Sequence, residues 1–495
     1  MKFGDDMEKD NKQLNEVCTD LKKWSFKSKM GWAQQCSVHI MNPYNILTDI
    51  TPDEIETYVM LSIKGLEYDN RVMQHNAFRH TIEDIRSFHH PVFKELPDEE
   101  RIKWIFMTIV SSQLIHQMNP NHLIYRYNYY FSYNKEVNME DEFANRFGVH
   151  YKDVIGPISL LWYALIPDSI IKLSPKGYKW LHSKYEKTID LITIKRKAYN
   201  QQLDQITNNM DDYRYCLRPS FLTPFIDFAG VKYLPTPHLL IISATTSLMY
   251  RLTEGNNELR KNIGKYVLEG YLYKIISENS EFDEVLPEQT YGNSQRTLDV
   301  LSRIGEDIIC FDSKSFTPSI GIKVFSNDAL EHIKRILADD ICKTYKHIHD
   351  KYGVEYSFLS VPIKEDRSNI YAVVVIAEES YIIREEVYAV AAKELGITIP
   401  SPEYDWMRGH IGITEISVLE KQLFDRKGIM AAIKRNSETG QYSDFWFFDG
   451  KLRENDNIDI ECILNDLWNP ICTEATKDNV PLFIGELQNI FMKTE

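Results

Sequence analysis

The chain has 495 residues and a formal net charge of −15, which is too long for one ordinary core and makes two or three domains the expectation. With 43% hydrophobic and 26% charged residues it has the balance of a soluble globular protein. The negative charge argues against a surface coated for nucleic acid but leaves room for a local basic channel. The longest apolar runs, 158–166 and 238–250, are too short or too polar to span a bilayer. The first dozen residues, MKFGDDMEKDNK, lack the apolar core of a signal peptide, so a cytoplasmic protein with no membrane association is expected. The seven cysteines form no C-x-x-C pair, which speaks against a disulfide framework and a structural zinc site.

Residues 1–254 read as mainly helical. TPDEIETYVMLSIKGLEY opens with Thr51 before Pro52, an N-cap followed by proline at the first helical position. PDEERIKWIFMTIVSSQLIHQM, from residue 97, starts on acids and continues with helical spacing. MEDEFANRFGVHYKDVIGPISLLWYALI reads as a helix, a glycine turn and a second helix. Residues 171–200 carry eight Lys and Arg against Glu186 and Asp190, a net of +6. There Lys184, Lys187, Lys195, Arg196 and Lys197 stand among Tyr178, Trp180, His182, Tyr185 and Tyr199. That mixture suits phosphate contacts and base stacking. It suits better still a solvated helix whose aromatic side faces a core. Residues 451–495 are acidic, with four basic and nine acidic side chains.

The pattern changes near residue 255. A helix over 256–278 is followed by short β runs, DEVLPE, TLDVLSRI and DIICFDSK. A helix over about 327–350 comes next, then EYSFLSVPI and IYAVVVIAEE as strands, and REEVYAVAAKELG as a helix capped by Gly396. Residues 397–404 serve as the candidate linker, with a mixed α/β appendage over 401–495 whose clearest strand is YSDFWFFDGK. Residues 255–400 thus read α-β-β-β-α-β, a mixed-sheet domain.

Within that domain Gly305-Glu306 is a two-residue hairpin loop, with glycine where a type II′ turn requires it. The register then pairs 304 with 307 and runs on to 300 with 311, bringing Asp299 opposite Asp312. Directly opposed Cβ atoms lie about 4.5–5.5 Å apart. Alternation puts Asp312 and Lys314 on the face of Asp299 and turns Ser313 the other way. Two carboxylates so placed repel unless a proton or cation sits between them, and a hard divalent ion suits the pair. A bare Asp-Ser-Lys triplet also occurs as the solvated end of an edge strand. At 100° per residue, Glu269 falls at the edge of the apolar face built by Val267, Leu268, Tyr271, Leu272, Ile275 and Ile276. Glu288 ends the preceding strand.

Taken together, Glu269, PEQTYG with Glu288, TLDV with Asp299, and ICFDSKS with Asp312 and Lys314 resemble the PD-(D/E)XK nuclease superfamily, the restriction-endonuclease-like fold. The resemblance covers about residues 258–378. It implies a Mg²⁺- or Mn²⁺-dependent endonuclease with Asp299 and Asp312 as metal ligands and Lys314 as the water-activating residue. Glu269 would complete the site, and Glu288 competes for that role. The expected substrate is double-stranded DNA, in a setting such as phage defence or restriction, with partner subunits or self-assembly left open. An RNA-directed nuclease and a non-catalytic binding or scaffold protein on the same fold are the other readings. The triplet's acid is Asp rather than the commoner Glu, which shortens its reach. Other frames are excluded: the chain has no Walker loop, G-x-G-x-x-G, H-E-x-x-H or G-x-S-x-G motif.

Overall fold

The computed structural model describes residues 13–41, 49–65, 70–90, 96–98, 119–292 (215 and 217 excepted), 294–315, 327–351, 358–377, 384–439, 450–453 and 460–484. It is a mixed α+β protein, mainly helical with several sheets. Among the described residues, no helix is long and apolar enough to cross a membrane. The chain divides into two compact units. One comprises residues 1–116, 142–252 and 461–495, the other 117–141 and 253–460.

The first unit is built around Pro52–Lys64, whose Thr51 and Glu54 form a capping box. Residues 53–63 of that helix are all buried. The expected helix–glycine–helix segment is present as Met139–Phe147 and Lys152–Leu165, with Gly148 at φ +70°. Three short strands were not anticipated: β1 (Thr193–Lys195), β2 (Phe225–Phe228) and β3 (Val231–Tyr233), with β1 parallel to β2 and β2 antiparallel to β3. At three or four residues each they are too short to show a period. The C-terminal helix Ile460–Lys477 belongs to this unit, where Trp468 donates from its indole to Ser159 Oγ at 2.9 Å. The expected helix over 97–118 lies almost wholly outside the described residues.

The second unit holds a five-stranded sheet. Its strands are β4 (Glu284–Pro287), β7 (Val300–Ile304), β8 (Asp307–Lys314), β9 (Ile370–Ile376) and β10 (Ile411–Glu415), in the order β10-β9-β8-β7-β4. A two-stranded ladder, β5 (Thr290–Tyr291) with β6 (Gln295–Arg296), joins β4 to β7. Another pairs β11 (Arg426–Lys427) with β12 (Lys451–Leu452). β4, β7 and β8 form an antiparallel meander, and β8, β9 and β10 run parallel. All seven residues of β9 are buried and apolar or aromatic, as a strand covered on both faces must be. The helix Asn327–Tyr345 connects β8 to β9 and packs on Arg384–Leu395. Gly396, at φ +72°, caps the latter as expected.

Three expectations need correction. Residues 397–404 do not end the domain, because β10 continues the same sheet beyond them. Residues 401–495 are therefore not a separate appendage: their first part completes this unit and their last part packs into the other. The described part of EYSFLSVPI, residues 358–363, forms no strand; Pro362 lacks the N–H a ladder needs. Most of YSDFWFFDGK lies outside the described residues, which take up its end at Lys451 in β12.

Candidate active site

The hairpin sets the geometry. Gly305 lies at φ +61° and Glu306 stays at negative φ, the combination of a type II′ turn. Asp283 holds that turn by accepting from Gly305 N–H at 2.7 Å and from Arg303 Nη1 at 3.1 Å. Ile304 pairs with Asp307 and Val300 with Phe311, the register expected from the turn. The next step in register brings residues 299 and 312 level.

Asp299 lies just before β7 and is not itself part of the ladder. Its Oδ2 accepts two hydrogen bonds from Ser313, one from the backbone N–H at 2.6 Å and one from the hydroxyl at 2.7 Å. Ser313, expected to face away, is thus turned onto Asp299, which is free of the ladder's strict alternation. Asp312 is buried, and its Oδ2 meets Lys314 Nζ at 2.6 Å, as two residues on one strand face should.

Glu269 begins the helix Glu269–Ser277, directly after a wide π turn at Ile263–Leu268. Such turns often occur at functional sites. Val267, Leu268, Tyr271, Leu272, Ile275 and Ile276 are all buried, and Glu269 sits half-buried at the margin, as expected. Tyr271 fixes the helix by donating from its hydroxyl to Glu420 Oε1 at 2.7 Å, and Arg126 Nε lies 3.2 Å from the same oxygen. The Pro120–Ser132 helix that carries Arg126 therefore joins this unit.

Electrostatics tie these groups together. Burial, then the charges of Asp299, Glu288 and Asp312, push the Glu269 carboxyl up to about 8. Burial and Asp312 raise Asp299 to about 6, against the bonds from Ser313. Burial works against the charge of Lys314, yet Asp312, Asp340 and Asp299 hold its ammonium above the usual lysine range. Glu288 stands at the rim, 3.0 Å from Arg296 Nη1. Sequence reasoning missed Asp340, a buried acid on the Asn327–Tyr345 helix. Its only local signal was an acid on the otherwise apolar helix face of Leu337 and Ile341.

Asp299, Asp312 and Glu269 offer carboxylate oxygens, the donor type that a hard divalent cation takes, and together carry an excess of negative charge. Among the described residues, no three His, Cys, Asp or Glu side chains converge on one metal position.

The five basic residues expected to bind nucleic acid lie in the other unit. Lys184 pairs with Glu474 at 2.5 Å, and Trp180 donates to Asp478 Oδ2 at 2.8 Å. Acids of the C-terminal segment thus engage this part of the basic window. Arg196 donates to the Gly65 carbonyl at 2.8 Å and lies over the Phe228 ring. Tyr199 is fully buried, so this part of the aromatic side faces the core. Lys187, Lys195 and Lys197 are exposed, and the last two line a surface cleft with Asn200, Asp227 and Phe228.

No family model, curated protein or solved structure matches the chain.

Proposed function

We propose that the chain is a divalent-metal-dependent endonuclease that hydrolyses phosphodiester bonds of DNA, on a frame of the PD-(D/E)XK kind. The observation that carries this reading is the meeting of Asp299, Asp312 and Lys314 at adjacent strand ends of a mixed sheet, with the charge of Glu269 coupled to both aspartates. The meander β4-β7-β8, followed by a helix and the parallel β9, is the α-β-β-β-α-β order the resemblance implies.

Asp299 and Asp312 would hold Mg²⁺ or Mn²⁺, with Glu269 as a further oxygen donor. When bound, such an ion lowers the pKa of a water and offsets charge gathering on the phosphate. Lys314, kept charged by the acids around it, steadies a phosphate oxygen or orients the attacking water. Water adds at phosphorus, one P–O ester bond breaks, and a phosphomonoester and a hydroxyl result. Asp283 and the Gly305 turn keep the two strand ends in register, and Ser313 orients Asp299. The same reading places the protein in the cytoplasm, as an effector of phage defence or restriction by analogy of layout.

The test incubates the full chain with supercoiled plasmid and with RNA, in Mg²⁺ or in EDTA, beside Asp312→Ala and Lys314→Ala. Plasmid nicking that needs Mg²⁺ and vanishes in both variants is the expected result. Cleavage of RNA alone would move the substrate class. Cleavage unchanged in the variants would overturn the site, and binding without cleavage by any form would favour a non-catalytic role.

A further inference from the structure

Resting on that reading of the site, we propose that a row of tyrosines beside Glu269 binds the unpaired bases of a single-stranded nucleic-acid segment and leads that strand to the active site. The row lies between the Pro120–Ser132 helix and the segment 263–277, which pack on each other in the second unit. Tyr125 marks one end: Lys274 Nζ is 5.4 Å from its ring centre, and its hydroxyl donates to Glu278 Oε2 at 3.2 Å. One turn on, a Cβ at Gly270 would lie 3.0 Å from the Tyr129 hydroxyl and 3.7 Å from Tyr133 Cε2. The two stretches therefore run antiparallel, and the Tyr133 end reaches toward Tyr266 and Lys265, a turn before Gly270. At that same end a Cβ on Gly264 would lie against Ser315, the residue after Lys314. The row thus ends beside the end of β8, and its middle is one residue from Glu269.

The chemistry of the row suits nucleotides. Tyr125, Tyr129, Tyr133 and Tyr266 are half-buried, so each keeps a solvent-facing part. A helix face that only meets water is normally charged. On the Pro120–Ser132 helix the positions that reach solvent include Tyr125, Asn128, Tyr129 and Ser132, and its histidine and arginine are buried. The Tyr129 and Tyr133 rings lie 6.2 Å apart. The hydroxyls of Tyr125 and Tyr133 are taken by Glu278 and Glu136, which leaves the rings for contact. Bases stack on such rings without regard to sequence, while a cation alongside holds the backbone phosphate. Lys265 supplies that cation: it is exposed, with Nζ 4.9 Å from the Tyr266 ring centre. Glu136 and Glu278 add no attraction for phosphate, so stacking must provide most of the affinity. A duplex keeps its bases stacked on one another and offers these rings little, so the row selects unpaired strands.

The test measures binding rather than cleavage: fluorescence anisotropy of the full chain in EDTA, with labelled oligo(dT) and with a duplex of the same length. Tyr133→Leu should weaken oligo(dT) binding about tenfold, the scale of one lost stacking contact. Tyr133→Phe, which keeps the ring, should retain wild-type affinity, and duplex affinity should stay at its wild-type value in both. Lys265→Ala, at an exposed position, keeps the test valid if the leucine variant misfolds. It should lower the slope of log affinity against log salt by about 0.7, the value for one phosphate contact on a single strand. Oligo(dT) binding that is absent, or untouched by both Tyr133→Leu and Lys265→Ala, overturns the proposal. So does an equal loss in the leucine and phenylalanine variants, or an equal loss on duplex. A wild-type oligomer that dissociates in Tyr133→Leu would make the face a contact between copies of the chain and would also overturn it. Plasmid nicking by the wild type in Mg²⁺ tests the nuclease reading separately. Nicking without tyrosine-dependent binding removes this proposal alone, whereas tyrosine-dependent binding without nicking supports the row and removes the nuclease.

Discussion

Lys314 Nζ and Asp312 Oδ2 stand 2.6 Å apart at the end of β8, two residues apart on one strand face. The pair makes the lysine the local counter-ion of an acid that the proposed chemistry needs for a metal. Removing Lys314 should therefore separate binding from turnover. For Lys314→Met, plasmid cleavage at saturating Mg²⁺ should fall about 10²–10³-fold, the range for losing one preorganised charge donor. DNA binding in EDTA should change little. Steady-state cleavage beside a filter-binding isotherm checks both halves. Full activity would remove Lys314 from the mechanism.

The carboxyls raised by crowding predict a pH dependence of stability. Glu269 at about 8 and Asp299 at about 6 both sit above their unfolded values. Between about pH 4 and pH 8 the folded chain then holds more protons at these groups than the unfolded chain does. Stability from them falls as pH rises through that window. The metal-free protein should melt at lower temperature at pH 8 than at pH 6 by this contribution, and Glu269→Gln should flatten the slope. Mg²⁺ must displace those protons and relieves the repulsion, so at saturation it should flatten the same slope. Thermal melts across pH, with and without Mg²⁺, provide the check. A slope unchanged by Glu269→Gln would contradict the assignment.

The parts of this site that the sequence revealed are the local ones. A glycine at the right place in a two-residue loop implies a register, and the register implies which residues stand level. That reasoning reached Asp299 and Asp312 without any knowledge of the rest of the chain. It also reached Glu269, because helical phase is local. It could not reach Asp340, because helical phase shows which face is buried but not what lies opposite. Nor could it reach β10, whose five residues end in Thr414 and Glu415 and pair with a strand 35 or more positions away. The two units each return to a distant stretch of chain, 461–495 in one case and 117–141 in the other. Such long-range closure leaves no local pattern. Asp299's bonds to Ser313 escaped too, since strict alternation describes residues inside the ladder and Asp299 is one position outside it.

In the first unit, Glu56 is fully buried, with Arg218 Nε at 2.9 Å and His238 Nε2 at 2.9 Å. His238 also meets Ser37 Oγ through Nδ1 at 2.6 Å. Glu56→Ala would strand a buried guanidinium, which should cost about 3–5 kcal/mol. Urea unfolding monitored in this unit should show the loss. Because no proposed catalytic residue lies here, metal-dependent cleavage per folded molecule should persist at low temperature.

The basic window yields a prediction about salt. Lys195 and Lys197 are exposed beside a cleft, whereas Arg196 is bonded to Gly65 and Lys184 to Glu474. If this face meets DNA, replacing Lys195 and Lys197 by Ala should lower affinity and reduce the salt slope by about one per lost phosphate contact. Tyr199→Phe, at a buried ring, should leave that slope alone. A wild-type affinity that does not respond to salt would remove the window from DNA binding.

The approach of the Glu269 helix to β8 rests on Gly264. A Cβ placed there would lie 2.6 Å from Ser315 Oγ and 2.8 Å from Ser315 Cβ, far inside contact distance for carbon. Ser315 is the residue after Lys314, so the clash would fall at the end of β8. Gly264→Ala must push the π turn and strand apart, and overpacking of this kind costs about 1–3 kcal/mol. Intrinsic propensity works the other way, because alanine favours a helix over glycine by about 1 kcal/mol. The net stability change is therefore modest, while the displacement falls on the spacing between Glu269 and the two aspartates. Cleavage should drop by at least tenfold with little change in melting temperature, since sub-ångström placement governs such sites. Ser315→Ala should not restore the double variant, because its Cβ still clashes. Ser315→Gly, which removes both close atoms, should restore most of the activity. Cleavage assays and melts on the four proteins decide the matter: wild-type activity in Gly264→Ala would mean that the helix is not held where the glutamate is needed.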